Sequence, residues 1–232
     1  MRGGGTAKLI KQARSKYPLL PESMGLARFP LKNALTINHG GTKARGVLDG
    51  TKLADMTEAE RYSRYQAIQI ANALREFGGP AFANVQLATS GAQVGVRETR
   101  RVKGLYMLAE DDAKSGRSFE DAIAWRSGFL DIGFVRFEKM KVHDVPYRAI
   151  VPEKLDGLLV AGRCISATHV AAAAGKSMGN CMATGHAAGL AAAMCARRGI
   201  QPRELKAAEV QQALARDGVT FNRAGQDGST IG

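Results

Sequence analysis

The sequence is poor in cysteine. Its 232 residues hold three, Cys164, Cys181 and Cys195, with no C-x-x-C pair and no Cys/His spacing of a zinc site. A disulfide scaffold and a structural zinc module are therefore excluded, no metal ligand set is expected, and an odd count without a framework fits a reducing cytoplasm. No apolar run approaches the ~20 residues needed to span a bilayer, and Met1-Arg2-Gly3 leads into no hydrophobic signal region. Aromatic residues are scarce, at 6%. Basic residues outnumber acidic ones 33 to 21, for a formal charge of +12, but they are scattered and lack the interleaved aromatics of a nucleic-acid groove. The excess fits an anion-facing site and a surface that meets an acidic partner.

Two phosphate-binding signatures are also missing. Gly175-Lys176-Ser177 looks like the tail of a P-loop, yet the glycine required five residues earlier is Val170, which resists the positive φ of such a loop. No G-x-G-x-x-G follows a strand. Arg2-Gly3-Gly4-Gly5 has no strand before it, and Gly91-Ala92-Gln93-Val94-Gly95 has the wrong spacing.

What is present is a strand–loop–helix near the C-terminus. The apolar run 158–161, bounded by Gly157 and Gly162, reads as a buried strand. Asn180 reads as the N-cap of a helix over 181–198, closed by Arg197 and Arg198, by Gly199 at C′ and by Pro202 beyond. Gly185 and Gly189 lie on one face of that helix, and Ala188, Ala192 and Ala196 extend the small-residue stripe. Upstream, helices are expected over 7–16 and from a Thr57–Glu60 capping box to Phe77, with Ile68, Ala71, Leu74 and Phe77 facing a core. Strands are expected over 34–39, 85–88, 102–108 and 134–142, a short helix over 118–125, and a small amphipathic helix from Pro202 to about Asp217. His143 is read as a surface residue and His186 as a packed one, and His39 shows no partner.

Several segments occur in a telling order: Gly95-Val96-Arg97-Glu98-Thr99-Arg100-Arg101, Gly104-Leu105-Tyr106-Met107-Leu108, Ser115-Gly116-Arg117-Ser118-Phe119-Glu120-Asp121-Ala122-Ile123-Ala124, Val145-Pro146-Tyr147-Arg148-Ala149-Ile150-Val151-Pro152, then 155–171 and 181–189. Together they resemble FAD-dependent oxidoreductases of the glutathione-reductase-like fold, in the family distantly related to fumarate reductase flavoproteins. The resemblance implies an α/β protein. Residues 1–150 form an α+β substrate lobe, 151–200 return as the C-terminal strand and helix of an FAD-binding domain, and 201–232 form a small helix and polar tail. It implies FAD, and hydride transfer between the flavin and a small, anionic substrate. The N-terminal Rossmann unit is absent, so a second polypeptide supplies it or the chain is a fragment. Gly162, Arg163, Thr168, Lys176, Met178, Gly179, Asn180, Cys181 and Met182 are then the cofactor-contacting positions, and His169, Arg148 and Arg97 the candidates for catalysis. Lys176 stands where the family usually has arginine, Gly179 near a usual proline, and His186 where glutamine is common. Each charged candidate has a plainer role: Arg97 and its neighbours as a structural ion-pair network, and Arg148 as partner to a carboxylate in the lobe. A non-catalytic binding subunit and a basic nucleic-acid-binding protein are the other two function classes.

Overall fold

A computed structural model describes residues 4–22, 24–28, 33–37, 41–42, 45–46, 48–132 and 136–221. Their contacts divide the chain into two units, Met1–Thr99 and Arg100–Gly232. The boundary expected at residue 150 therefore falls inside the second unit. The architecture is mixed α/β, with two small antiparallel sheets among the described residues. His39 lies outside those residues.

In the first unit, α1 (Gly4–Ala13) and α2 (Leu53–Phe77) share an apolar core in which Leu9, Ile10, Ala13, Ile70, Ala73 and Leu74 are buried. On α2, Tyr62, Gln66, Ile70, Ala73 and Leu74 follow the helical period and define the inward stripe. Ile68 falls off that stripe and is 47% exposed, contrary to expectation. The helix starts one turn before the expected capping box. The Thr57 hydroxyl donates to the Leu53 carbonyl at 2.8 Å, back along the helix, rather than capping. Gln66 is a buried amide that is satisfied. Its Nε2 donates to the Leu19 carbonyl at 2.7 Å and its Oε1 accepts from the Gly41 N–H at 2.8 Å. A short hairpin, β1 (Leu26–Arg28) with β2 (Leu35–Ile37), takes part of the strand expected over 34–39. No strand forms over 85–88.

The second unit is organised by an antiparallel hairpin, β3 (Ala122–Ile132) and β4 (Arg136–Pro146), with Trp125 opposite Asp144 and Arg126 opposite His143. The helix expected over 118–125 is thus the start of a strand. Ala122, Ile123 and Ala124 are all buried, so this stretch has no alternation to reveal it. A six-residue helix, α3 (Glu110–Ser115), precedes the hairpin and ends at Gly116, whose φ of 73° is the left-handed C-cap that glycine tolerates. After β4 come α4 (His169–Ala173), α5 (Met178–Arg198) and α6 (Ala207–Arg216). Helices α5 and α6 pack on β3 around Ile123, Val145, Ile150, Ala187, Ala191 and Leu214. Alanines at 187 and 191, both fully buried, let the α5 backbone come close to the sheet. The run 158–161 pairs in no strand ladder among the described residues. The Val160 N–H donates to the Ile150 carbonyl at 3.0 Å. The ribbon 102–108 is likewise no strand, yet it makes isolated bridges, Gly104 to Pro152 and Leu108 to Ala167. No described helix is long and apolar enough to cross a membrane.

His143, expected on the surface, is 1% exposed. Its Nδ1–H donates to the Lys141 carbonyl at 3.0 Å. Burial pushes its pKa below the ordinary histidine value, the Lys141 carbonyl opposes this and the nearby Arg126 cation adds to it. A pKa depressed by folding means that the unfolded chain binds the proton more readily. The histidine's contribution is therefore fully present above an unfolded pKa of about 6.5 and is lost as pH falls from there through the folded value. Wild type is expected to lose stability relative to His143→Gln between pH 7.5 and 5.5 in denaturant titrations. Parallel pH profiles would contradict the assignment.

Candidate functional site

The α5 N-terminus and the two loops before it form the candidate site. The helix starts at Met178, with Ser177 as N-cap making no side-chain cap bond. Asn180, expected to be the cap, sits one turn inside the helix and is 9% exposed. One turn further, Thr184 is fully buried and ties the region together. Its Oγ1 accepts from the Gly162 N–H at 3.0 Å and donates to the Asn180 carbonyl, also at 3.0 Å. Gly162 suits glycine because its φ is +67°; a Cβ there would meet the Cys181 side chain only at ordinary contact distance, 3.6 Å. Cys181 in turn points its thiol at the Lys176 carbonyl, 3.8 Å away.

Thr168 caps α4 by accepting the Ala171 N–H at 3.4 Å, and its own N–H donates to the Leu108 carbonyl at 2.8 Å. His169 is therefore the first residue of a capped helix, and it is exposed. The ribbon 102–108 is bonded on both sides. Val102 and Leu108 donate to the carbonyls of Cys164 and Ser166, and Leu105 and Tyr106 to those of Val151 and Arg148. Loop 162–168 is thereby held through backbone bonds to the Tyr147–Ile150 turn.

Thr184→Val keeps the shape and removes the hydroxyl, stranding the Gly162 N–H. The expected cost is about 1–3 kcal/mol for an orphaned buried donor, with amide exchange at Gly162 at least tenfold faster and Thr184→Ser near wild type. Unchanged exchange at Gly162 in the valine variant would remove Thr184 as the tie.

On the opposite side, α5 is bare. Met178 is 84% and Met182 74% exposed. Gly179, Gly185 and Gly189 are exposed too, with nothing within 4 Å of where a Cβ would stand. Positions 178, 182, 185 and 189 share one helix face. The buried face carries Asn180, Thr184, Ala187, Ala188 and Ala191. Arg163 is exposed and Lys176 half-buried.

The charged candidates part company. The Arg148 fork sits on Asp121, Nε to Oδ2 at 2.9 Å and Nη2 to Oδ1 at 3.1 Å, with the guanidinium 5.3 Å from the Tyr106 ring centroid. Arg97 is exposed and belongs to the first unit. The segment 97–101 forms no strand, so the shared face expected for Arg97, Thr99 and Arg101 is not realised, and Arg101 instead donates from Nε to the Ala167 carbonyl at 2.9 Å. His186, expected to be packed, is an exposed ring bonded to Asp217 at 2.8 Å. No group of three His, Cys, Asp or Glu residues suited to a metal occurs among the described residues.

Sequence reasoning passed over three residues. Asp112, 3% exposed, accepts from the Tyr106 hydroxyl, the Ala109 N–H and Arg117. Asp121 holds Arg148. Thr184 joins the Gly162 loop to the first turn of α5. Asp121 was within reach, because it lies in the Ser115–Ala124 motif that carries the resemblance. Thr184 gives no sequence signal distinct from any helical threonine.

The family model described as FAD dependent oxidoreductase matches residues 6–214, from α1 into α6. Comparisons with curated proteins and with solved structures give no match. Those matched residues span both units and include Gly162, Thr184 and the α5 N-terminus, and the chain belongs to the FAD-dependent oxidoreductase family.

Proposed function

We propose that this chain supplies the substrate lobe and the flavin-facing loop and helix of an enzyme that moves a hydride between a small organic substrate and FAD. The observation that carries this reading is the bare, small-residue face of α5 leading to an uncapped, exposed N-terminus. FAD is the cofactor of the family, and the residues present fit it. Gly179 has open space beside it, and Gly162 at positive φ allows a close backbone approach. The amide-rich, partially positive end of a 21-residue helix suits negative charge. When bound, the flavin supplies the electron chemistry.

The chain's own groups then have defined tasks. The first-turn backbone amides of α5, at Met178 and Gly179, would hold negative charge at the flavin, since the Cys181 N–H is already bonded to the Ser177 carbonyl, and Lys176 would add a cation beside them. His169, exposed at the start of α4, holds or moves the substrate proton. Arg148 has spent its fork on Asp121 and retains three of its five N–H donors for an anionic group. Arg163 and Thr168 shape the loop between them.

The nucleotide cradle is assigned outside these 232 residues, to a second polypeptide or to a further stretch of the same chain. Two features support this: no G-x-G-x-x-G follows a strand, and the run 158–161 pairs in no described ladder. The test is co-expression with the chain encoded beside it, followed by anaerobic addition of hydroxy compounds. A yellow complex that bleaches with one of them supports the enzyme. A stable but colourless complex would turn the assignment to a non-catalytic subunit.

A further inference from the structure

One buried charge lies against the site described above, near Cys181 and bonded to the residue before Lys176, yet has no task there. Arg126, on β3 opposite His143, is 1% exposed. Its Nη2 donates to the Gly175 carbonyl at 3.1 Å. Among the described residues, neither Nε nor Nη1 has a hydrogen-bond partner. Burial pulls its pKa down to about 10, which leaves it fully charged at neutral pH. An ion in such a place costs several kcal/mol unless something of opposite charge meets it.

No described acid does so. Asp112 is engaged by Tyr106, Ala109 and Arg117, and Asp144 accepts from the Phe119 N–H at 3.0 Å. His143, with its pKa depressed, carries no compensating charge. Ala173 and Ala174, just before Gly175, pack in an apolar cluster with Leu130 and Met140, and the Cys181 thiol and the His143 ring lie near the guanidinium. The absence of a side chain at residue 175 is part of the arrangement, since a Cβ there would overlap the Arg126 guanidinium.

We propose that Arg126 is the seat of a buried small carboxylate, gripped by the guanidinium edge that the Gly175 carbonyl leaves open. The chemistry selects this ligand class. Nη2 uses one of its two hydrogens on Gly175, and whichever it uses, a parallel pair of N–H groups remains, with either Nε or Nη1. A parallel pair is the donor pattern that matches a planar carboxylate. One cation balances one negative charge, so a monoanion leaves the buried site neutral and a phosphate dianion does not. Because Arg126 is covered, the ligand enters only when residues 174–177, the link between α4 and α5, lift away. This site does not rest on the flavin reading.

The experiment uses the full chain and 13C-labelled formate, observed by NMR in chloride buffer of constant ionic strength. Saturable formate binding in the millimolar range or tighter is expected for wild type. Arg126→Met, apolar and similar in length, should weaken it at least tenfold. Arg126→Lys keeps the charge without the fork and should weaken it roughly tenfold. In carboxylate-free buffer Arg126→Met should melt higher than wild type, and added formate should narrow that gap. Formate that binds wild type no better than Arg126→Met overturns the proposal. If the methionine variant does not fold, wild type alone decides: no saturable binding up to 100-fold molar excess of formate at millimolar protein also overturns it.

Discussion

Asp112→Ala is expected to lower the melting temperature by roughly 5–10 °C, from a loss of about 2–4 kcal/mol as a half-buried hydroxyl and a helix-end amide lose their acceptor, at the usual few degrees per kcal/mol for a chain this size. The carboxylate is 3% exposed and accepts from three donors. One is the Ala109 N–H at 2.9 Å, a first-turn group of α3 that alanine at the N-cap cannot reciprocate. The second is the Tyr106 hydroxyl at 2.9 Å and the third Arg117 Nη1 at 3.0 Å. Arg117 also lies 4.9 Å from the Phe119 ring centroid, and Tyr106 meets Phe119 edge-on at 5.1 Å. Removing one carboxylate therefore strands a half-buried hydroxyl and a helix-end amide, and releases the arginine that stacks on the aromatic pair. Asp112→Asn retains an acceptor and should lose less than half as much. Equal losses in the two variants would mean that packing, not the charge, holds this cluster.

That cluster explains why the Ser115–Asp121 stretch was legible as a motif and misread as structure. Gly116 supplies a left-handed cap, Arg117 reaches back to Asp112, Phe119 stacks on Tyr106 and Asp121 forks with Arg148. Every one of these roles is a contact at a turn or between segments, and none leaves a helical or strand period. The strand that follows was taken for a helix because Ala122, Ile123 and Ala124 are all buried, so the polar residues that would have shown a two-residue alternation are missing there.

Helix ends show the same division between local and non-local causes. The end of α5 was readable because Arg197, Arg198 and Gly199 settle it within one turn, and Gly199 takes φ +64° as a left-handed cap must. Its beginning was not. Ser177 and Asn180 are both good caps, three residues apart, and the choice falls to Thr184, whose bond to the Asn180 carbonyl keeps that turn helical. For α2, Leu53 to Met56 are adequate helix formers, so the helix ran past the Thr57 box that sequence favoured. The charged candidates were found by type, whereas their availability was decided by neighbours. Arg148 had a carboxylate waiting at Asp121, while Arg126, which drew no attention in the sequence, was left without one.

The paired substitution Gly185→Leu with Gly189→Leu should separate folding from function most sharply. Both glycines sit mid-helix on the bare face of α5, and a Cβ at either meets nothing within 4 Å. Leucine restores backbone restriction that glycine lacks, worth about 1 kcal/mol per site in a helix interior. The isolated chain should therefore melt at the same temperature as wild type or a few degrees higher. Under the proposed function the same face lies against the nucleotide-binding unit, where two isobutyl groups hold the backbones apart. Flavin content of the co-expressed complex should then fall at least 100-fold, while Gly185→Ala with Gly189→Ala, smaller by three carbons at each site, should retain most of it. The opposite signs are what make the test discriminating, because a general folding defect cannot raise stability and abolish flavin uptake together. Full flavin content in the leucine pair would place the docking face elsewhere on this chain and leave the glycine stripe without a part in the assembly.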